Sequence, residues 1–252
     1  LKEKNCNKRE KRGIIYIIFE LKEIGSLCLN EILLYYMNNI IYLWKFKPNE
    51  KKYFPKEVID NNIKYIANYK IINNPAIIEN FIINNNSIFP ELLDLYKIIP
   101  HWVIKTDLGR LLTIYLNGGL YADADCFIQK KIDKHNDTDN IILFTEHICN
   151  SVNELGKREC KNPENVLRIA NFCFGSKTIN HPFLKEVIEE CICRLKQLLI
   201  IEKKTKFNHH DILWVCGPDV ITTIYHRSKK NYNDIFLYDN TFLNHKCSGS
   251  WR

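Results

Sequence analysis

Thr106-Asp-Leu-Gly-Arg-Leu-Leu-Thr-Ile-Tyr-Leu-Asn-Gly-Gly-Leu-Tyr-Ala-Asp-Ala-Asp125 is the stretch on which the reading of this chain turns. Leu108, Leu111, Leu112 and Tyr115 fall at i, i+3, i+4 and i+7, which predicts one apolar stripe of a helix. Asn117-Gly118-Gly119 ends that helix, because Asn and Gly tolerate the left-handed conformation of a helix C-terminus. Residues 120–128 then read as a strand. On a continuing strand, Asp123 and Asp125 share one face and the small Ala124 points to the other. Two carboxylates on one face repel each other, so the pair makes sense around a cation. Oxygen ligands suit Mg²⁺ or Mn²⁺, and such an ion can hold a diphosphate as a leaving group. Asp107 and Arg110 are neighbours at i and i+3, on the flank of the apolar stripe. The Gly-Gly turn folds the strand back on the helix, so Asp107, Arg110, Asp123 and Asp125 converge at one sheet edge. Taken alone, Asp107–Arg110 reads as a surface ion pair worth less than about 1 kcal/mol, and Asp-x-Asp as a solvated strand end.

Outward from this block, short apolar runs alternate with helical spacing. Residues 40–44 and 69–72 read as strands, with a helix at 58–65 between them. The Asn-rich region 73–100, punctuated by Pro75, Pro90 and Pro100, reads as short helices. Residues 141–144 and 169–175 read as strands, and 145–165 as a loop. A long helix is expected over 182–201, with Phe183, Val187, Cys191 and Leu195 on one face. Gly217-Pro218 opens a shorter one at 220–225, and the tail from Phe242 reads as irregular. The alternation predicts an α/β fold with a central mixed sheet.

Composition narrows the classes further. The 252 residues are 46% hydrophobic and 26% charged, which excludes whole-chain disorder, collagen and coiled coil. The longest apolar stretches, 13–21 and 32–46, are short or broken by Asn38 and Asn39, below the roughly 18 residues of a membrane span. The net charge of +7 sits in a chain rich in Asn, Ile and Lys but poor in Arg. That bias suits an AT-rich coding sequence, and no nucleic-acid reading motif accompanies it, so no nucleic-acid partner is expected. Ten cysteines include no Cys-x-x-Cys pair. Cys173 and Cys216 lie in apolar runs and read as buried, reduced side chains. The sequons at Asn85 and Asn136 are ordinary in an Asn-rich chain.

The quoted block resembles the signature of glycosyltransferase family 32, the sugar transferases with a DXD motif. That family includes the fungal initiating mannosyltransferases and is related to the clostridial toxin glucosyltransferases. Its pattern is Ser-Asp, Arg three residues on, Tyr-Gly-Gly, an aromatic residue and Asp-x-Asp. Here Thr106 replaces the Ser, Asn117 stands where Tyr or Phe is commoner, and Ala122 replaces Leu or Ile; no charged position departs. Residues 41–44 resemble the family's opening strand, with Tyr42 at or beside a usual His. Asn180-His-Pro182 resembles the segment before its long helix. Gly217-Pro218 resembles its Gly-Pro turn, and His245 to Trp251 its closing His…Gly-Ser-Trp. The resemblance runs from about residue 40 to the end and leaves 1–39 as an extension without an assigned role.

This resemblance implies a GT-A fold over 40–252, a single Rossmann-like nucleotide-binding domain. It implies a metal-dependent retaining glycosyltransferase that moves a hexose or N-acetylhexosamine from a UDP- or GDP-sugar to a glycan, lipid or protein acceptor. Asp125 resembles the direct ligand of Mn²⁺ or Mg²⁺, and His245 a further metal or diphosphate contact from the tail. Asp123 resembles the residue that touches ribose or donor sugar and reaches the metal through water. Asp107 and Arg110 resemble the pair that orients donor hydroxyls, and Ser250 and Trp251 the residues that bond the phosphates. Trp44 is a candidate to stack on the base; Glu146 and Asn171 are candidates near the anomeric centre. An anchor upstream of Leu1 would be the route to a membrane, and either a cytoplasmic or a Golgi-lumenal setting fits. The alternatives are a GT-A-like scaffold that binds sugar or nucleotide without turnover, and a haloacid-dehalogenase-like phosphatase. The latter also uses Asp-x-Asp, but Cys126-Phe127 follows here and no Asp-Asp pair occurs downstream.

Overall fold

The computed structural model describes residues 39–49, 51, 53–132, 138–148 and 167–247, all within a compact unit spanning Tyr36–Arg252. In chain order the elements are β1 (Asn39–Leu43), α1 (Lys56–Asn62), β2 (Asn68–Ile72), α2 (Ala76–Asn84), α3 (Leu92–Ile98) and α4 (Trp102–Asn117). Next come β3 (Gly119–Ala122), β4 (Cys126–Ile128), β5 (Ile141–Ile148), β6 (Leu167–Ile169), β7 (Cys173–Ser176) and α5 (Pro182–Lys196). After α5 follow α6 (His209–Val215), α7 (Pro218–Ser228), β8 (Ile235–Tyr238) and β9 (Leu243–His245).

Seven strands form one mixed sheet in the order β2-β1-β3-β7-β5-β6, with β8 also pairing β5. β1 runs parallel to both β2 and β3, and β7 antiparallel to β3 and β5. Residues 141 and 142 of β5 pair with β7 and with β8, so those two strands occupy opposite edges of β5. The sheet is apolar on both faces, and the period-2 alternation divides its side chains between two cores. Ile41, Leu43, Tyr121, Ile141, Leu143 and Phe174 face the layer of α2 to α7. Ile40, Tyr42, Leu120, Ala122, Ile142, Phe144 and Cys173 face the other way, toward α1, β4 and Phe242. This is the expected α/β architecture with a central mixed sheet.

α4 is buried on more than its predicted stripe: twelve of its residues, from Val103 to Tyr115, are buried. Gly109 lets it lie that close, since a Cβ there would stand 3.1 Å from Leu43 and 3.2 Å from Ile78. The helix stops at Gly118 and Gly119, both at positive φ (65° and 93°), which glycine alone adopts without steric cost. α5 is set by the predicted Asn-His-Pro segment. Asn180 turns at φ 56° and donates its N–H to the Tyr115 carbonyl at 2.6 Å. His181 Nδ1 caps the Phe183 N–H at 3.2 Å, and Pro182 occupies the first turn. A π-helical turn, Gln197–Ile201, carries the helix to the expected end.

Four expectations need correction. Residues 120–128 are not one strand, because β3 ends at Ala122 and a turn precedes β4. Residues 169–175 are likewise split into β6 and β7. β5 continues to Ile148, so Glu146 lies within a strand rather than after it. The tail is not irregular throughout, because β9 pairs antiparallel with β4. Of the cysteines, Cys126, Cys173, Cys191 and Cys216 are buried and Cys193 and Cys247 exposed, and none of these six is in a disulfide among the described residues. The other four, Cys6, Cys28, Cys149 and Cys160, lie outside the described residues, as do the 1–39 extension up to Asn38, Ser250 and Trp251.

Candidate active site

β1 and β3 run parallel and end side by side, and the chain beyond their carboxyl ends borders a cleft of about 900 Å³. Ligands of open α/β sheets bind outside the carboxyl ends of strands for this reason: the connections diverge there and leave a crevice. The N-terminal half of α4 forms one wall with Trp102, Thr106, Asp107 and Arg110. Trp44, at the end of β1, also lines the cleft.

The two carboxylates of Asp-x-Asp reach this cleft through a turn and not through a strand pleat. The Asp123 N–H donates to the Phe172 carbonyl at 2.8 Å, the last rung of the β3–β7 ladder, and the Cys126 N–H donates to the Asp123 carbonyl at 3.0 Å. The turn is fixed from below by α1. Asn62, fully buried, receives the Ile128 N–H at 2.8 Å and donates to the Cys126 carbonyl at 3.0 Å and to the Tyr42 hydroxyl at 2.9 Å. Asn61 donates to the Ile128 carbonyl at 2.8 Å. These two side chains serve β4 on its unpaired edge as a strand would. Nothing in the composition of 58–65 announces this, since Asn is common throughout the chain.

Asp107 and Arg110 are buried, contrary to the surface-pair reading. Arg110 Nη2 lies 2.8 Å from Asp107 Oδ1, and Nη1 lies 3.3 Å from Asp123 Oδ1 and donates to the Asn171 carbonyl at 2.8 Å. The guanidinium stands 4.8 Å from the centre of the Tyr121 ring, whose hydroxyl donates to Asp123 Oδ1. One arginine thus joins the helix, the Asp-x-Asp turn and the β6–β7 bend. Burial works against the charge on Arg110, but the surrounding carboxylates outweigh it and hold the guanidinium protonated. Burial pushes the Asp107 carboxyl up to about 7 against the pull of Arg110.

β9 delivers His245 opposite Cys126, next to the turn. Its Nε2 is 3.1 Å from Asp125 Oδ1, and its ring stacks on Phe172 at 4.0 Å between centroids. The Lys246 N–H donates to the Asp125 carbonyl at 3.1 Å. Burial lowers the basicity of His245, but the hydrogen bond to Asp125 and the charges of Asp123, Asp125 and Glu146 raise it further. Asp123, Asp125 and His245 offer one ligand atom each within 4.8 Å of one another. Two carboxylates suit Mg²⁺ or Mn²⁺ alike, and adding an imidazole favours a borderline transition ion such as Mn²⁺ over Mg²⁺. The donor set therefore fits the metal that the sequence implies. Asn171 and Glu146 line the same cleft. Sequence reasoning missed Asn62 and Tyr121, and it missed Arg168, which pairs with Glu146 at 2.8 Å and with Asp219 at 2.7 Å.

Residues 48–143 match the family model described as a glycosyltransferase sugar-binding region containing a DXD motif. The match includes Asp107, Arg110, Asp123 and Asp125 but stops short of Arg168 and His245. A solved structure titled PaToxG glycosyltransferase is similar at 15% identity, over 81% of this chain and 76% of that chain, with a TM-score of 0.46. A search of the curated proteins found no match. The family match supports a glycosyltransferase, as the resemblance of the quoted block implied.

Proposed function

We propose that this chain is a metal-dependent glycosyltransferase that takes a hexose or N-acetylhexosamine from a nucleotide sugar with retention. The observation that carries the reading is the convergence of Asp123, Asp125 and His245 beside the buried Asp107–Arg110 pair, lining a cleft of about 900 Å³. A nucleotide sugar has three parts, a base, a diphosphate and a sugar, and the cleft is lined by aromatic, acidic and basic side chains.

Asp125 and His245 would hold the divalent ion, with Asp123 in direct or water-bridged contact. When bound, the ion supplies positive charge to a diphosphate leaving group. The chain's own residues do the remainder. Arg110 fixes Asp123 and Asp107 in place, so these carboxylates are oriented before substrate arrives and need no reorganisation during reaction. Asp107 and Asp123 accept hydrogen bonds from donor-sugar or ribose hydroxyls. Phe172 holds the His245 ring flat against the β6–β7 bend. Trp44 supplies an aromatic face for the base. Ser250 and Trp251, by the family resemblance, add phosphate contacts from the tail.

The test is release of nucleoside diphosphate from a panel of UDP- and GDP-sugars, with Mn²⁺ and with chelator. Release from one donor that chelator abolishes is expected, and it would name the donor. The binding-only alternative predicts nucleotide binding without release from any donor.

A further inference from the structure

The cleft has a second charged wall that the reaction described above does not use. β5 and β6 pair antiparallel, Thr145 with Ile169 and His147 with Arg168, and the register shifts between those two rungs. Glu146 is the extra residue at that shift. A bulge re-aims the side chain it carries, and such bulges gather beside active sites. Glu146 and Arg168 both line the cleft. Arg168 Nε donates to Glu146 Oε2 at 2.8 Å, and its Nη1 lies 2.7 Å from Asp219 Oδ1 at the start of α7. Asp219 and Arg168 are buried, at 7% and 6% exposure, whereas the Glu146 side chain keeps 28%.

This arrangement is expensive for a fold alone. One carboxylate and one guanidinium are taken out of water together, with a second carboxylate only partly covered, and an apolar pair would cost less. What it achieves is a carboxylate held rigidly at the cleft surface with one oxygen committed. The other oxygen, Oε1, takes no hydrogen bond among the described residues. Glu146 lines the same cleft as Asp123, Asp125 and His245, the proposed metal and diphosphate site. A second phosphate is a poor occupant beside a fixed negative charge. An uncharged hydroxyl group, which can donate to Oε1, is a good one.

We propose that Glu146 forms the acceptor subsite, where its Oε1 receives a hydrogen bond from a hydroxyl of a saccharide acceptor. Arg168 is its positioning residue, held in turn by Asp219. The inference rests on the transferase reading, because it places an acceptor in the cleft that would hold the donor. No covalent step is assigned to Glu146.

The test separates the two. The melting temperature is measured with Mn²⁺ plus UDP or GDP for wild type, Glu146→Gln and Glu146→Ala. Saturation-transfer NMR then follows methyl α- and β-glycosides of glucose, galactose and mannose added to the same mixtures. Expected is a metal-dependent nucleotide shift in all three proteins and saturation of at least one glycoside by wild type. Loss of one hydrogen bond to a charged group should weaken that glycoside by about tenfold in Glu146→Ala, and Glu146→Gln should also weaken it. In Glu146→Ala, Arg168 keeps Asp219, so the fold is expected to survive. Equal glycoside binding by Glu146→Ala would overturn the subsite. So would the absence of glycoside binding in a wild type that shows the nucleotide shift. A wild type with no nucleotide shift would remove the transferase reading itself, and the acceptor subsite with it.

Discussion

Arg110 is the most heavily committed side chain of the site, and it belongs to a buried cluster with an excess of acid. It bridges Asp107, Asp123 and the Asn171 carbonyl. Arg110→Ala would leave Asp107 to take up a proton and the Asn171 carbonyl without its donor, a loss of about 1–3 kcal/mol, to be read as a lower urea midpoint. Arg110→Lys keeps the charge but cannot span three partners from a single ammonium group, so turnover should fall even where stability is partly rescued. Asp125 differs, because its side chain is 23% exposed and its carboxylate meets a histidine. Asp125→Asn should abolish metal-dependent turnover while stability changes by less than about 1 kcal/mol. Wild-type turnover in that variant would sink the metal assignment. A third residue sets a pH dependence away from the cleft. Asp234 accepts from Asn140 at 2.8 Å and meets His181 Nε2 at 3.0 Å. Burial raises its carboxyl, but these partners outweigh burial and hold it below the ordinary value. A depressed folded-state value means the unfolded chain binds the proton more readily. The stabilisation is therefore full above about pH 4, the unfolded value, and fades as pH falls through the folded one. Asp234→Asn should be less stable than wild type at pH 7, with the gap closing in acid; a gap independent of pH would contradict this.

At the scale of elements, much was legible because local chemistry and tertiary packing agree. The stripe Leu108, Leu111, Leu112 and Tyr115, the Gly118-Gly119 stop and the Asn180-His-Pro182 start all appear where the sequence places them. Illegible were the features made by distant residues. The Asp-x-Asp turn follows an apolar run and reads as strand, because the bonds that end it come from Phe172 and Asn62. β9 carries only the short Leu-Asn-His, and pairing with β4 makes it a strand. Burial of Asp107 and Arg110 was hidden for the same reason, since the layers that cover α4 lie far off in sequence. Asn62→Ala tests the α1–β4 clasp. It strips partners from the Cys126 carbonyl and the Ile128 N–H, each buried, at about 1–3 kcal/mol apiece. Because β4 follows Asp125 directly, turnover should fall as well, measured at a temperature where the variant remains folded. Activity equal to wild type in a clearly destabilised Asn62→Ala would show that the clasp serves stability alone.

For the whole molecule, the sheet separates two tasks. One face packs the helical layer that buries most apolar side chains, and α4 within it carries Asp107 and Arg110. The other face packs α1 and β4, which steady the turn and the His245 strand. The site lies where chain from both layers meets at the ends of β1 and β3, so neither layer alone would complete it. The proposed function requires Asp123, Asp125 and His245 to form one metal-dependent nucleotide site. Titration calorimetry of UDP and GDP into the protein, with Mn²⁺ and with chelator, tests this most directly. Binding of at least one nucleotide that requires Mn²⁺ and is lost in Asp125→Asn is expected. Binding that is indifferent to both the metal and Asp125, or no binding of either nucleotide with Mn²⁺ present, would contradict it.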